Sequence, residues 1–212
     1  MKAKVLNERL LVSSILCVLP IVIGLLMYDQ IPETMPIHWD SQGNANGFMP
    51  KNIGIWAVPL FLLAIHLIVS IGTVSGRSAQ SLSKMTLFVS YWSVPITSLI
   101  LESTAILKAA GREVNIYQIV LTFVGILFVV AGNYMPKNQP NAIAGYRLPW
   151  TVHDVNTWKK THLFAGKIWI VIGLVLLILS WTEIGYGALT AVLIIAALLV
   201  PTGYSFIIAR SH

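Results

Sequence analysis

Residues 52–76, Asn-Ile-Gly-Ile-Trp-Ala-Val-Pro-Leu-Phe-Leu-Leu-Ala-Ile-His-Leu-Ile-Val-Ser-Ile-Gly-Thr-Val-Ser-Gly, run for 25 positions without an Asp, Glu, Lys or Arg. A hydrocarbon core of ~30 Å needs about 20 residues of helix, so this stretch reads as a membrane span. Five further charge-free stretches occupy residues 10–28, 85–101, 114–136, 168–182 and 184–209, with lengths of 19, 17, 23, 15 and 26. The two short ones extend into their flanks. The fifth span can begin at Leu163 with Lys167 snorkelling to the headgroups, and the third can lean on residues 103–107 with Glu102 close to an interface. Six transmembrane helices are expected.

Composition supports a bilayer as the solvent. Of 212 residues, 56% are hydrophobic and 10% charged, against about 25% charged in an ordinary soluble domain; the mean hydropathy is +0.77. These values exclude a soluble globular enzyme and a disordered chain. The single cysteine, Cys17, lies in an apolar run with no metal or redox pattern around it and reads as packing. The net charge is +6 without any long basic block or nucleic-acid motif, so no direct nucleic-acid partner is expected.

The charge is explained by orientation. Residues 1–9, 77–84, 137–167 and 210–212 hold Lys2, Lys4, Arg9, Arg77, Lys84, Lys137, Arg147, Lys159, Lys160, Lys167 and Arg210, which is 11 of the 14 basic residues. The remaining loops hold Lys51, Lys108 and Arg112 with Asp29, Glu33, Asp40, Glu102, Glu113 and Glu183. The positive-inside rule then places both termini in the cytoplasm. Anionic lipid headgroups are the only polyanionic partner this asymmetry requires. Lys2, Lys4 and Arg9 before the first apolar run resemble a signal peptide, but the run is long and no A-x-A-like site follows, so it reads as a permanent helix.

Pro20, Pro59, Pro95 and Pro201 fall inside four spans and read as shaping those helices. His66, midway along the second span, is an intramembrane polar candidate by default, and a hydrogen bond to a neighbouring helix accounts for it equally well.

Two polar connections are longer than helix joints need. In the outer one, residues 29–51, Pro32 and Pro36 favour an extended path. Ile37-His38-Trp39 and Phe48-Met49 can pair there across a turn rich in Gly and Asn. A small extracellular hairpin or cap is expected, with Trp39 and Phe48 at headgroup level or stacking on a ligand. In the inner one, residues 132–162, Thr151 with Asp154 resembles a capping box and predicts a helix from about Val152. Val155, Trp158 and His162 share one face of it with Ala165, Gly166 and Trp169, opposite Lys159 and Lys160. The architecture expected is therefore an all-α integral membrane protein. It has six spans, N-in/C-in, a small extracellular cap, and a cytoplasmic amphipathic helix between spans four and five.

No enzyme is expected. His38 and the pair His153 and His162 lie on opposite sides of the bilayer and cannot share a metal. H-E-x-x-H, G-x-S-x-G and phosphate-binding glycine loops are absent from the sequence. No catalytic residue, metal or other cofactor is assigned. Arg147 is a candidate to grip a carboxylate or lipid phosphate, or to form a structural salt bridge.

The inner segment carries Asn133-Tyr-Met-Pro136-Lys, Asn141, Gly145-Tyr-Arg147-Leu-Pro149-Trp150-Thr and Trp158-x-x-Thr-His162-x-x-x-Gly166. It resembles the signature of the SdpI/YfhL family of bacterial membrane immunity proteins. Ile31-Pro32, Pro36-Ile-His38-Trp39, Gly43 and Gly47 resemble the proline-histidine-glycine module at the start of full-length members of that family. The resemblance implies two regions. Residues 1–76 would form two spans carrying the extracellular module at 29–51, and residues 77–212 a four-span region carrying the motif segment at 132–167. It further implies a multi-pass protein of the bacterial cell membrane that protects against a secreted, membrane-active toxin peptide. Pro32, Pro36, His38, Trp39, Gly43 and Gly47 become toxin-facing candidates. Asn133, Pro136, Asn141, Gly145, Arg147, Pro149, Trp150, Trp158, His162 and Gly166 become candidates to meet a cytoplasmic partner. In the best-known member that partner is an ArsR-type repressor held at the membrane when toxin is engaged. The alternative class is a small transporter or lipid-interacting membrane protein unrelated to immunity, with His66 as its polar group.

Overall fold

A computed structural model describes residues 2–40, 43–75, 84–141, 144–182 and 187–210. Arg77 and Glu183 of the charge asymmetry, residues 41–42 of the outer connection, residues 142–143 of the inner one and residues 184–186 of the sixth span lie outside the described residues. In chain order the elements are α1 (Lys2–Leu26), β1 (Thr34–Trp39), β2 (Ala45–Pro50), α2 (Lys51–Ser75), α3 (Lys84–Ala109), α4 (Ile116–Tyr134), α5 (Pro149–Val152), α6 (Val155–Leu179) and α7 (Ala188–Arg210). Among the described residues, five helices are long and apolar enough to cross a membrane: α1, α2, α4, α6 and α7. The third expected span lies in α3, 26 residues long, with Ser90, Ser93, Thr97, Ser98 and Glu102 along its length.

The chain forms two compact units. One contains Met1–Val74 and Val89–Tyr117, the other Ser75–Phe88 and Gln118–His212. The part of α3 from Val89 onward thus packs with α1 and α2.

In the first unit, small residues and internal hydrogen bonds hold α1 to its neighbours, as a solvent without water requires. A Cβ on Gly24 of α1 would lie 2.8 Å from Ile55 of α2, so the two backbones approach closely there. The Ser98 hydroxyl of α3 donates to the Cys17 carbonyl of α1 at 2.8 Å, and the cysteine is buried. Ile21, Ile31, Met35, Ile55 and Ile106 form the apolar cluster at the end of α2 from which the hairpin rises.

The second unit is built on a glycine seam. Cβ atoms on Gly132 and Gly166 would each meet the other residue's carbonyl oxygen, at 2.7 and 2.6 Å, and those on Gly125 and Gly173 would do the same at 2.9 and 2.8 Å. The pairs 132 with 166 and 125 with 173 run in opposite senses, so α4 and α6 are antiparallel. The seven-residue spacing on each helix returns a glycine to the same face every two turns. Outside the seam, Phe128 stacks on Trp169 at 4.6 Å, and the Thr122 hydroxyl donates to Ser180 Oγ at 2.9 Å. On the next helix, Phe164 of α6 stacks on Tyr204 of α7 at 4.3 Å.

Candidate functional site

The hairpin is antiparallel, with Met35 opposite Met49 and Pro36 opposite Phe48. A hairpin was expected here, but with Phe48-Met49 opposite Ile37-His38-Trp39; instead His38 and Trp39 lie opposite Gly47 and Ala45. Its register shifts between Pro36 and His38 and again between His38 and Trp39. The first irregularity follows a proline that has no N–H for the ladder. The turn closes through Asn44 N–H donating to Asp40 Oδ1 at 2.9 Å, with Gly43 at φ +83°, a conformation that L side chains rarely adopt.

One side of the hairpin is an anchor. Met35 is buried beside Gly54 of α2, where a Cβ would stand 2.8 Å from the Met35 sulfur. Lys51 Nζ donates to the carbonyls of Ile31 at 3.1 Å and Tyr28 at 3.4 Å. It also pairs with Glu33 at 3.4 Å and lies 4.5 Å from the Tyr28 ring centre. The other side is open. Phe48 is 59% exposed; Pro32 and His38 are exposed, and Pro36, Trp39, Gly43 and Gly47 are half-buried. His38 Nδ1 donates to Asn46 Oδ1 at 2.5 Å. Gly47 makes room for that imidazole, since a Cβ on it would sit 2.8 Å from His38 Cβ. The Trp39 indole N–H is buried without an acceptor.

The motif segment is organised around His162 of α6. Nδ1 lies 2.8 Å from the Trp158 carbonyl, which can only accept, and Nε2 lies 3.0 Å from the Tyr146 N–H, which can only donate. The two contacts require the neutral ring with its proton on Nδ1. The ring stacks on Trp158 at 3.9 Å and meets Tyr146 edge-on at 6.1 Å. Trp158 and His162 are both 0% exposed. The Trp158 indole N–H donates to the Asn138 carbonyl at 2.9 Å. Gly145 is required twice over: its φ is +107°, and a Cβ there would stand 2.2 Å from His162 Nε2.

Around this knot the segment satisfies its own polar groups. Asn141 is buried; its Oδ1 accepts from Ala144 N–H at 2.8 Å, and its Nδ2 donates to the Gln139 carbonyl at 2.8 Å. Thr151 Oγ accepts from Leu148 N–H at 2.9 Å and lies 2.5 Å from the Tyr146 carbonyl as donor. The helix it was expected to cap begins later. Asp154 is the N-cap of α6, accepting from Asn156 and Thr157 N–H at 3.3 and 2.7 Å, while Thr151 sits in the one-turn α5. A carboxylate reaches two orphan amides where a hydroxyl reaches one, which favours the later start. The residues of the expected amphipathic helix lie at the N-terminal end of α6, which is continuous from Val155 to Leu179. Val155, expected on its packed face, is exposed, whereas Thr157 and Thr161 join the buried side.

Two contacts tie the segment to α7. The Trp150 indole donates to Ser205 Oγ at 3.0 Å, with Phe206 edge-on at 5.4 Å, and the Tyr146 hydroxyl donates to the Ala197 carbonyl. Burial holds the Tyr146 phenol above its ordinary pKa, against an opposing pull from the Trp169 indole N–H; the hydroxyl therefore remains a donor. Pro136 packs at 3.0 Å from a Cβ placed on Gly166. Asn133, Arg147 and Pro149 are exposed.

Of the residues singled out from sequence, the fold thus gathers Asn141, Gly145, Trp158 and His162 into one cluster and leaves Asn133, Arg147 and Pro149 on its surface. Tyr146, the Asn138 carbonyl and the seam glycines 125, 132 and 173 were not singled out. The glycine spacing was readable; a main-chain carbonyl carries no sequence signal. His66 is buried between serines. Ser13 gives its proton to the Leu10 carbonyl at 3.1 Å and accepts from His66 Nε2 at 2.9 Å, and Ser70 lies 3.3 Å from Nδ1. Both ring nitrogens are used. Among the described residues no three His, Cys, Asp or Glu side chains group to hold a metal.

Comparison with known proteins follows the same division of the chain. A family model described as the SdpI/YfhL protein family matches residues 137–205, the motif segment with α6 and most of α7. One described as a domain of unknown function, DUF1648, matches residues 15–63, which include the hairpin. No solved structure matches the chain. Immunity protein SdpI of Bacillus subtilis (strain 168) is 31% identical over 200 residues, covering 94% of this chain and 95% of that protein. An alignment of that extent, over five membrane-length helices, makes this a multi-pass membrane protein that belongs to the SdpI/YfhL immunity-protein family.

Proposed function

We propose that this protein shields its cell from a secreted, membrane-active toxin peptide. In this reading α3 completes six spans, both termini are cytoplasmic, the hairpin is extracellular and the motif segment faces the cytoplasm. The observation that carries the reading is the near full-length identity to a protein named as an immunity protein.

The hairpin is the toxin-facing element. Its exposed Phe48 and His38 offer apolar area and an imidazole to an incoming amphipathic peptide, beside half-buried Trp39 and around the turn set by Pro32, Pro36, Gly43 and Gly47. The motif segment is the cytoplasmic element. Its buried Asn141, Trp158, His162 and Gly166, with Gly145 against the His162 ring, hold the backbone, while Asn133, Pro136, Arg147, Pro149 and Trp150 present the surface to an ArsR-type repressor. Toxin binding favours one helix arrangement, and the segment reports it. By linkage, the repressor must then tighten toxin binding to the same degree.

Expression in a toxin-sensitive host, with membrane abundance measured alongside, tests the reading. Survival on challenge with the peptide should rise in proportion to the protein present. Unchanged killing at full membrane abundance refutes it. Equal repressor recruitment with and without toxin refutes the reporting step alone.

A further inference from the structure

The Ala197 carbonyl accepts from two different elements. The Tyr146 hydroxyl of the motif segment donates to it, and the Trp169 indole nitrogen of α6 lies 3.0 Å away, shared with the Tyr146 oxygen at 2.9 Å. In a regular helix this carbonyl would already be taken by the N–H four residues on. Residue 201 is proline, which has no N–H. Ala197 is 0% exposed and Pro201 is buried with it, so water cannot fill the vacancy, and an unpaired carbonyl in an apolar medium is strongly unfavourable.

We infer that Pro201 is the positioning residue of the motif segment: by withholding its amide it leaves the Ala197 carbonyl as the seat for Tyr146, so that the shape of α7 sets where the segment lies. The link continues outward along the chain. Tyr146 is held at its other end by its own N–H on His162 Nε2 and by its carbonyl on Thr151. A carbonyl has two lone pairs, and Tyr146 and Trp169 use both. An N–H restored at residue 201 would be a third donor for two acceptor sites, and one of the two side chains would have to leave. Any rearrangement that straightens α7 would therefore set a new donor in competition with Tyr146 and Trp169 for this seat, and one that draws the segment away would leave the carbonyl to Trp169 alone.

Hydrogen exchange of the full-length protein in lipid nanodiscs tests this, because the Tyr146 and Leu148 amides are internally bonded and report the seat directly. P201A and Y146F should each speed their exchange by roughly fivefold, the equivalent of one ordinary hydrogen bond. In the Y146F background, adding P201A should do nothing more at these amides. P201G returns the same N–H with a different side chain and should match P201A; it also serves if P201A does not accumulate. Exchange unchanged by P201A and P201G, effects that multiply in the double variant, or exchange unchanged in Y146F would each overturn the assignment.

Discussion

The hairpin and the motif segment use the same residue types to opposite ends. Each sets a glycine against a histidine, Gly47 on His38 and Gly145 on His162, and each has a tryptophan close by. In the motif segment the histidine is buried with both nitrogens bonded, and the indole N–H has an acceptor. In the hairpin the histidine is exposed with one hydrogen bond, to Asn46, and the Trp39 N–H has no acceptor. The contrast separates a knot that fixes the backbone from a hairpin whose histidine stays at the surface. Identical letters in a motif do not imply identical work; burial decides.

The largest expected effect is at Gly145. G145A forces a side chain into a left-handed conformation and into the His162 ring, a loss of about 3–5 kcal/mol of stability, read as a lower melting temperature in detergent or as failure to accumulate. G47A should cost only about 1 kcal/mol, because an exposed strand can give way. Equal losses would erase the distinction between the two regions. Next comes H162A, which strands the Tyr146 amide and empties a stacked site, at about 2–4 kcal/mol. H38A should stay within about 0.5 kcal/mol. On the proposed function it should still lower survival under toxin, and normal survival would remove His38 from the toxin-facing surface. A third comparison lies on the seam, where G132A should cost about 1–3 kcal/mol by pushing α4 off α6; an unchanged melting temperature would show that the two helices separate freely. Within the knot the smallest effect is W158F, which keeps the stack and deletes the hydrogen bond to Asn138, for about 1 kcal/mol. A loss as large as that of H162A would make the indole, not the imidazole, the centre of the knot.

Much of this was legible before any coordinates. Charge-free length identified the five apolar helices, and two β-prone patches around a Gly and Asn turn identified the hairpin, because both signals are local. Gly145, Trp158 and His162 stood out as a motif and as candidates to meet a partner; the burial of Trp158 and His162 depends on the loop folding back over α6, which no local pattern encodes. The start of α6 was misplaced for a related reason, since Thr151 and Asp154 are both good caps and tertiary bonds to Tyr146 and Leu148 decided between them. Met35 was overlooked because a lone methionine between prolines looks incidental until Gly54 is seen beneath it. Pro201 read only as a kink, since its partner is a backbone oxygen.

One further consequence lies in the join between β2 and α2. Pro50 ends the strand and Lys51 begins the helix, with no residue between them. The same lysine is clamped to the chain entering the hairpin by its side chain and, through its amide, to the Glu33 carbonyl at 2.9 Å. Such a junction has no slack. On the proposed function, a peptide gripping the hairpin would act on α2 as on a lever, rotating or tilting a whole rod where a tethered lid would merely flap.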